Sequence, residues 1–294
     1  MARIALVIGA SGQVGRESSR ALLAGGWKAV GTYRSRPAQG LLPLDVIDDA
    51  AIKRTLREVR PALCVLCSAM TAVDRCEDEP ELAEASNARA PGVVAEACRE
   101  VGARLVFLST EYVFDGTAGP YGEDDPPSPV SVYGRTKLEG ERRVLAASGS
   151  NLVLRTTVVY SHHPGDRNFA MQVLERLGRG ERMRVPADQV SSPTYAPDLG
   201  AAIARLAERG EGGVLNVAGP DVLGRHDFAA RAARALGLDP SLLEAVTTVS
   251  LSQRARRPLA AGLRIDRLRG LGVGMRGVDE GLRAFARLAG RGPP

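Results

Sequence analysis

The chain has 294 residues and a mass of 31.1 kDa, with 44% hydrophobic and 25% charged residues, enough for one large domain or two small ones. That balance excludes wholesale disorder, a collagen and a disulfide scaffold, and no apolar run approaches the roughly 18 residues of a membrane-spanning helix. The net charge of +5 admits nucleic acid, but the arginines are scattered and six Tyr, five Phe and one Trp leave few rings to stack on bases.

Anionic small molecules such as nucleotides fit the basic chain, and neither nucleic acid nor a membrane is expected as a partner. Of the 39 basic residues only Lys28, Lys53 and Lys137 are lysines. The first apolar run, residues 4–8, is a strand's length and is broken by Gly9, so no signal segment is read and the cytoplasm is the expected compartment.

Short apolar runs at residues 4–8, 29–33, 63–67, 105–108 and 152–154 predict strands. Helical patterns fill residues 14–24, 50–59, 90–101 and 131–147. The alternation predicts an α/β fold, a doubly wound parallel Rossmann sheet. Beyond residue 160 the rhythm changes. Helices are expected at 169–177, 196–207, 228–236 and 278–288, a short strand at 183–185 and a returning strand at 214–217. The expected division is a dinucleotide-binding domain over 1–160 and a smaller α/β substrate lobe over 161–294, partly interleaved with the sheet. Residues 290–294 read as a frayed tail.

Directly after the first strand stands Gly9-Ala-Ser11-Gly12-Gln13-Val14-Gly15. Glycines at this spacing let the backbone turn tightly and approach a pyrophosphate, which the following helix N-terminus binds. After the second strand come Arg34 and Arg36 with no carboxylate. A carboxylate there would accept from a ribose 2′-OH, whereas guanidiniums can clamp a 2′-phosphate. NADPH is therefore the expected cofactor, with NADH as an alternative.

Cys64 and Cys67 have a C-x-x-C spacing, but on a strand such positions face opposite ways; buried free thiols are expected. Residues 115–130 hold four prolines, three glycines and the acids Glu123, Asp124 and Asp125, and read as a long loop. Next comes Tyr133-Gly-Arg-Thr-Lys137. On a helix this pair shares one face. An ammonium beside a phenol favours the phenolate and lowers its pKa, so Tyr133 can exchange a proton with a carbonyl oxygen. Ser109 and Thr110 end a predicted strand, where a hydroxyl can bond that carbonyl. His162, His163 and Asp166 lie in a Gly/Pro loop and read as solvated. No carboxylate cluster demands Mg²⁺, and no metal site is expected.

The chain resembles the extended short-chain dehydrogenase/reductases, and within them the dTDP-4-dehydrorhamnose reductase family. The carrying stretches are the glycine loop, Thr71-Ala-Val-Asp74, Ser109-Thr-Glu-Tyr-Val-Phe-Asp-Gly116 and Val132-Tyr-Gly-Arg-Thr-Lys-Leu-Glu-Gly-Glu141, then Arg155-Thr156, Asn168-Phe169, Asp188-Gln189, Ser192-Pro-Thr194 and Arg257-Pro258. The resemblance implies an enzyme that reduces the 4-keto group of a nucleotide-linked deoxysugar. Thr110, Tyr133 and Lys137 match its catalytic trio. Asp45 and Val46 would meet the adenine, and Ser68, Ala69 and Thr71 the nicotinamide side. Glu111, Tyr112, Val158, Asn168, Gln189 and Arg257 would approach the sugar nucleotide. Glu111 stands for the usual Asp, Val158 for a common Trp and Leu66 for a usual Asn; with Met70, these departures bear on which sugar is taken.

Two other functions share the pattern: a non-catalytic NADP-binding regulatory subunit like that of methionine adenosyltransferase, and a nucleotide-sugar epimerase or dehydratase. Arg254, Arg256, Arg257 and Arg264 are candidates for the substrate diphosphate, and a homodimer is a possible assembly.

Overall fold

The structure, a computed structural model, describes residues 3–291. Its centre is a seven-stranded sheet of β1 (Ile4–Ile8), β2 (Lys28–Tyr33), β3 (Leu41–Pro43), β4 (Leu63–Leu66), β5 (Arg104–Thr110), β6 (Leu152–Thr156) and β7 (Gly213–Asn216). Every pairing is parallel. The spatial order is β7-β6-β5-β4-β1-β2-β3. The chain winds outward one way from β1 and the other way from β4, so the crevice between those two strands is the topological switch point.

Alternate side chains of β1 explain its unbroken apolar run. Ala5 and Val7 enter one core cluster with Leu22, Leu199 and Ile203. Leu6 and Ile8 enter another with Ile52, Leu56, Val94 and Val144. Helices α1 (Gln13–Ala24), α2 (Asp49–Val59), α3 (Ala90–Val101) and α4 (Val132–Ala147) connect the strands. After them come α5 (Phe169–Gly178), α6 (Ala196–Arg209), α7 (Arg225–Ala235) and α8 (Val278–Leu288). The first face is covered by α1 and α6, the second by α2, α3 and α4.

From Tyr160 onward a further apolar cluster forms around Tyr160, Phe169, Val173, Phe228 and Phe285. Beside it Met183–Pro186 pairs with Leu243–Val246. The same half of the chain returns β7 and α6 to the central sheet.

Short elements that were not expected include Val73–Asp78, Pro80–Glu84 and a π-helical turn at Ala85–Arg89 that runs into α3. They are too short and polar to show a helical period. The thin edge strand β3 escaped for the same reason. The final three residues of the expected tail lie outside the described residues. Among the described residues no helix is long and apolar enough to cross a membrane.

Candidate active site

At the carboxyl end of the sheet lies a cleft of about 640 Å³. Gly9, Ser11, Gly12, Gln13, Val14 and Gly15 form its floor. Gly12 precedes α1 and no side chain caps that helix, so the first-turn N–H groups stay open for an anion. A Cβ on Gly15 would lie 2.2 Å from the Gly9 carbonyl oxygen; only glycine lets α1 start this close to the turn. Arg34, Ser35 and Arg36 line one end, and Arg36 Nη1 donates to the Gly165 carbonyl at 3.3 Å.

Opposite stand Ser68, Ala69 and Thr71. Asn87, inside the π turn, holds this loop: its Oδ1 accepts from Met70 N–H at 2.8 Å, and its Nδ2 donates to the Met70 carbonyl at 3.0 Å. The same Nδ2 reaches Thr136 Oγ1 on α4 at 3.4 Å. Sequence reasoning missed Asn87, because nothing local distinguishes an asparagine whose partners lie on two other elements.

Helix α4 begins where Ser131 Oγ accepts from Gly134 N–H at 3.2 Å, one residue later than expected because Ser131 is the cap. A Cβ on Gly134 would fall 2.1 Å from the Tyr112 carbonyl oxygen, so this glycine lets α4 lie against the end of β5. Tyr133 and Lys137 are both buried and both line the cleft. Lys137 Nζ donates to the Leu108 carbonyl at 2.5 Å and sits 3.9 Å from the Phe107 ring centroid. Burial pushes its pKa down to about 7, against the pull of Glu141.

Burial also pushes the Tyr133 phenol up, and the Glu111 carboxylate adds to this, while the Thr110 hydroxyl works against it. The expectation that Lys137 would lower the phenol is therefore corrected for the protein alone. Both groups lose water, the lysine holds its proton only to about pH 7, and Glu111 opposes a phenolate.

Thr110 ends β5, is 5% exposed and lines the cleft. Its Oγ1 accepts from Tyr112 N–H at 3.2 Å, and its hydroxyl donates to Glu111 Oε2 at 2.8 Å. Thr157, just after β6, donates to Glu111 Oε1 at 2.7 Å. Glu111 is 5% exposed; burial raises its pKa, opposed by both threonine hydroxyls and by Arg225. The Tyr112 ring meets that of Tyr133 edge-on, with centroids 5.3 Å apart. Behind the cleft Arg155 makes a buried two-pronged pair with Glu141, at 2.7 and 3.1 Å. Ser109 also donates to Glu141.

Asp45, Val46, Asn168, Gln189 and Arg257 are not among the residues lining the cleft. Val46 packs into the core, and Asp45 Oδ1 accepts from Ile47 N–H. Asn168 caps α5 through Met171 N–H at 3.0 Å and donates to the Ser161 carbonyl at 2.8 Å. Gln189 donates to Thr248 Oγ1 at 3.1 Å. Arg257 pairs with Asp74 at 2.9 Å and reaches the cleft only through Tyr112.

Arg254 pairs with Asp78 and Arg264 with Asp125, each through a solvent-exposed guanidinium. Asp166 is buried and binds Arg16 at 2.8 Å and Ser161 at 2.7 Å, which corrects the solvated reading. The four cysteines are free thiols.

Val158 does line the cleft, with φ of 39°. A β-branched residue in this left-handed region is strained by about 1–3 kcal/mol, a feature that gathers at functional sites. The cleft also takes in Arg167, Phe169 and Arg225, which the sequence reading did not assign to the site. The Arg225 guanidinium lies 4.3 Å from the Phe169 ring centroid. It makes no hydrogen bond or ion pair among the described residues. In a chain with 36 arginines no local signal marks it out.

Comparison with known proteins agrees with this geometry. The profile of the RmlD substrate binding domain matches residues 3–287. The dTDP-4-dehydrorhamnose reductase of Mycolicibacterium smegmatis is 39% identical over 244 residues, 82% of this chain and 71% of that protein. The methionine adenosyltransferase 2 subunit beta of Xenopus laevis is 31% identical over 96% of this chain and 88% of its own length. The crystal structure of dTDP-4-dehydrorhamnose reductase from Bacillus anthracis in complex with NADP superposes with a TM-score of 0.89 at 28% identity, covering 97% of this chain and 99% of that one. Sequence profile, relatives and fold thus converge, and the chain belongs to the RmlD family of the dTDP-4-dehydrorhamnose reductases.

Proposed function

We propose that this chain is an NADPH-dependent reductase of the 4-keto group of a nucleotide-activated deoxysugar. The observation that carries the reading is the meeting of Thr110, Tyr133 and Lys137 with the glycine floor in one cleft at the switch point. The residues fit a phosphorylated dinucleotide. The open N-terminus of α1 and the close approach at Gly15 suit its pyrophosphate, and Arg34 and Arg36 suit a 2′-phosphate. When bound, the reduced nicotinamide supplies a hydride to the carbonyl carbon.

The protein's part is binding and proton supply. A phenol whose pKa is raised stays protonated at neutral pH, the form needed to hand a proton to the carbonyl oxygen. Thr110 offers that oxygen a hydroxyl. Lys137 is placed to hold the nicotinamide ribose.

Residues 1–160 act in this reading as the dinucleotide-binding part and 161–294 as the substrate lobe. In support, the later half has its own apolar cluster and extends Phe169 and Arg225 into the cleft. The test is nicotinamide absorbance with NADPH and dTDP-4-dehydrorhamnose. Turnover is expected, and Tyr133→Phe should reduce it by about 10²–10⁴-fold while NADPH binding persists. NADPH binding with no turnover of any nucleotide-linked ketosugar would favour a regulatory subunit, the reading supported by the Xenopus relative.

A further inference from the structure

The Thr110 hydroxyl has one proton and two claimants. Glu111 Oε2 stands 2.8 Å from Thr110 Oγ1. On the other side lies the cleft, where the same hydroxyl faces Tyr133. While Glu111 is ionised it can only accept, so the proton of Thr110 is committed to it. A protonated Glu111 donates instead. Thr110 Oγ1 would then accept from Glu111 and from Tyr112 N–H, and its proton could point only into the cleft.

From this hydrogen-bond chain we propose that Glu111 is a positioning residue whose protonated form turns the Thr110 hydroxyl toward the substrate carbonyl. The idea rests on the reductase reading and adds a pH-sensitive step to it. Thr157 completes the arrangement, because its hydroxyl donates to the other carboxyl oxygen in either state. The groups facing Glu111 are Thr110 and Tyr112 from its own stretch, Thr157 after β6, Tyr133 from α4 and Arg225 from α7. Arg225 alone among them favours the ionised form by charge. Burial of the carboxyl at 5% exposure acts the other way.

The test is the pH profile of kcat for dTDP-4-dehydrorhamnose with saturating NADPH. The wild type is expected to lose kcat as pH rises and Glu111 ionises. Glu111→Gln, whose amide donates at every pH, should lack this limb and exceed Glu111→Ala in kcat. Glu111→Ala should fall about tenfold or more below wild type at low pH, having no donor to orient Thr110. Thr157→Val removes a bond that favours the ionised carboxylate, so its limb should move to higher pH.

An unchanged limb in Glu111→Gln, or an unmoved one in Thr157→Val, overturns the proposal. A second readout needs no turnover: the carboxylic-acid stretch in the infrared difference between wild type and Glu111→Gln on the low-pH side of the limb. Its absence also overturns the proposal. If that band is present while the wild type leaves the ketosugar unreduced, the reductase reading fails and the protonated Glu111 stands.

Discussion

Arg34 and Arg225 mark two charged places in the cleft, and each side chain makes a separate claim. Arg34 has no carboxylate neighbour at the end of β2. Arg34→Ala should weaken NADPH by tenfold or more, about 1.5–3 kcal/mol for a bond to a charged group, and NADH much less. Titration of both cofactors checks this, and equal losses would remove Arg34 from the 2′-phosphate. Arg225, stacked on Phe169, should read the sugar nucleotide. Arg225→Ala is expected to raise KM for the ketosugar about tenfold or more and leave the NADPH Kd unchanged.

Lys137 gives a stability effect with a definite sign. Its folded pKa of about 7 lies below the ordinary lysine value of 10.5. Between those values the folded chain binds fewer protons than the unfolded one, so this contribution to stability grows as pH rises through the window. Below about pH 7 the penalty of a buried ammonium is fully present. Denaturant unfolding of wild type against Lys137→Met should show the variant's relative advantage greatest below pH 7 and shrinking toward pH 10. A gap that does not change with pH would contradict a depressed lysine.

At the scale of elements, α4 is the part on which the site depends. It is held by its cap at Ser131, by the close approach at Gly134 and by the Arg155–Glu141 pair. Removing one partner of a buried pair leaves an uncompensated charge, which costs about 3–5 kcal/mol. Glu141→Ala should lower stability by that order in denaturant unfolding. Gly134→Ala should lower kcat more than it lowers cofactor affinity, because the displaced groups are Tyr133 and Tyr112 rather than the glycine floor.

The elements of α4 and the sheet were legible for a simple reason. Doubly covered strands are apolar on both faces, and long helices repeat their period several times. The Tyr133–Lys137 pair was legible because both partners lie on one helix. Asn168, Gln189 and Arg257 were harder to read, since a polar side chain can serve a cap, a hydrogen bond or an ion pair as readily as a ligand. Arg225 and Asn87 were invisible because their value comes from contacts made across the fold, far from them in sequence.

For the whole molecule, the return of the later half to the sheet matters most. Helix α6 covers the same face as α1, and β7 forms the sheet edge beside β6. A piece ending near residue 160 would therefore lose the cover over Leu22 and leave β6 unpaired along its outer side. Such raw edges invite association between chains. Produced alone, that piece should aggregate; mixed with the remaining segment during refolding, it should regain NADPH binding. The winding that builds the crevice thus also sets an order of closure: the cover over α1 and the outer neighbour of β6 come from residues beyond 195, so that face of the sheet is completed last along the chain.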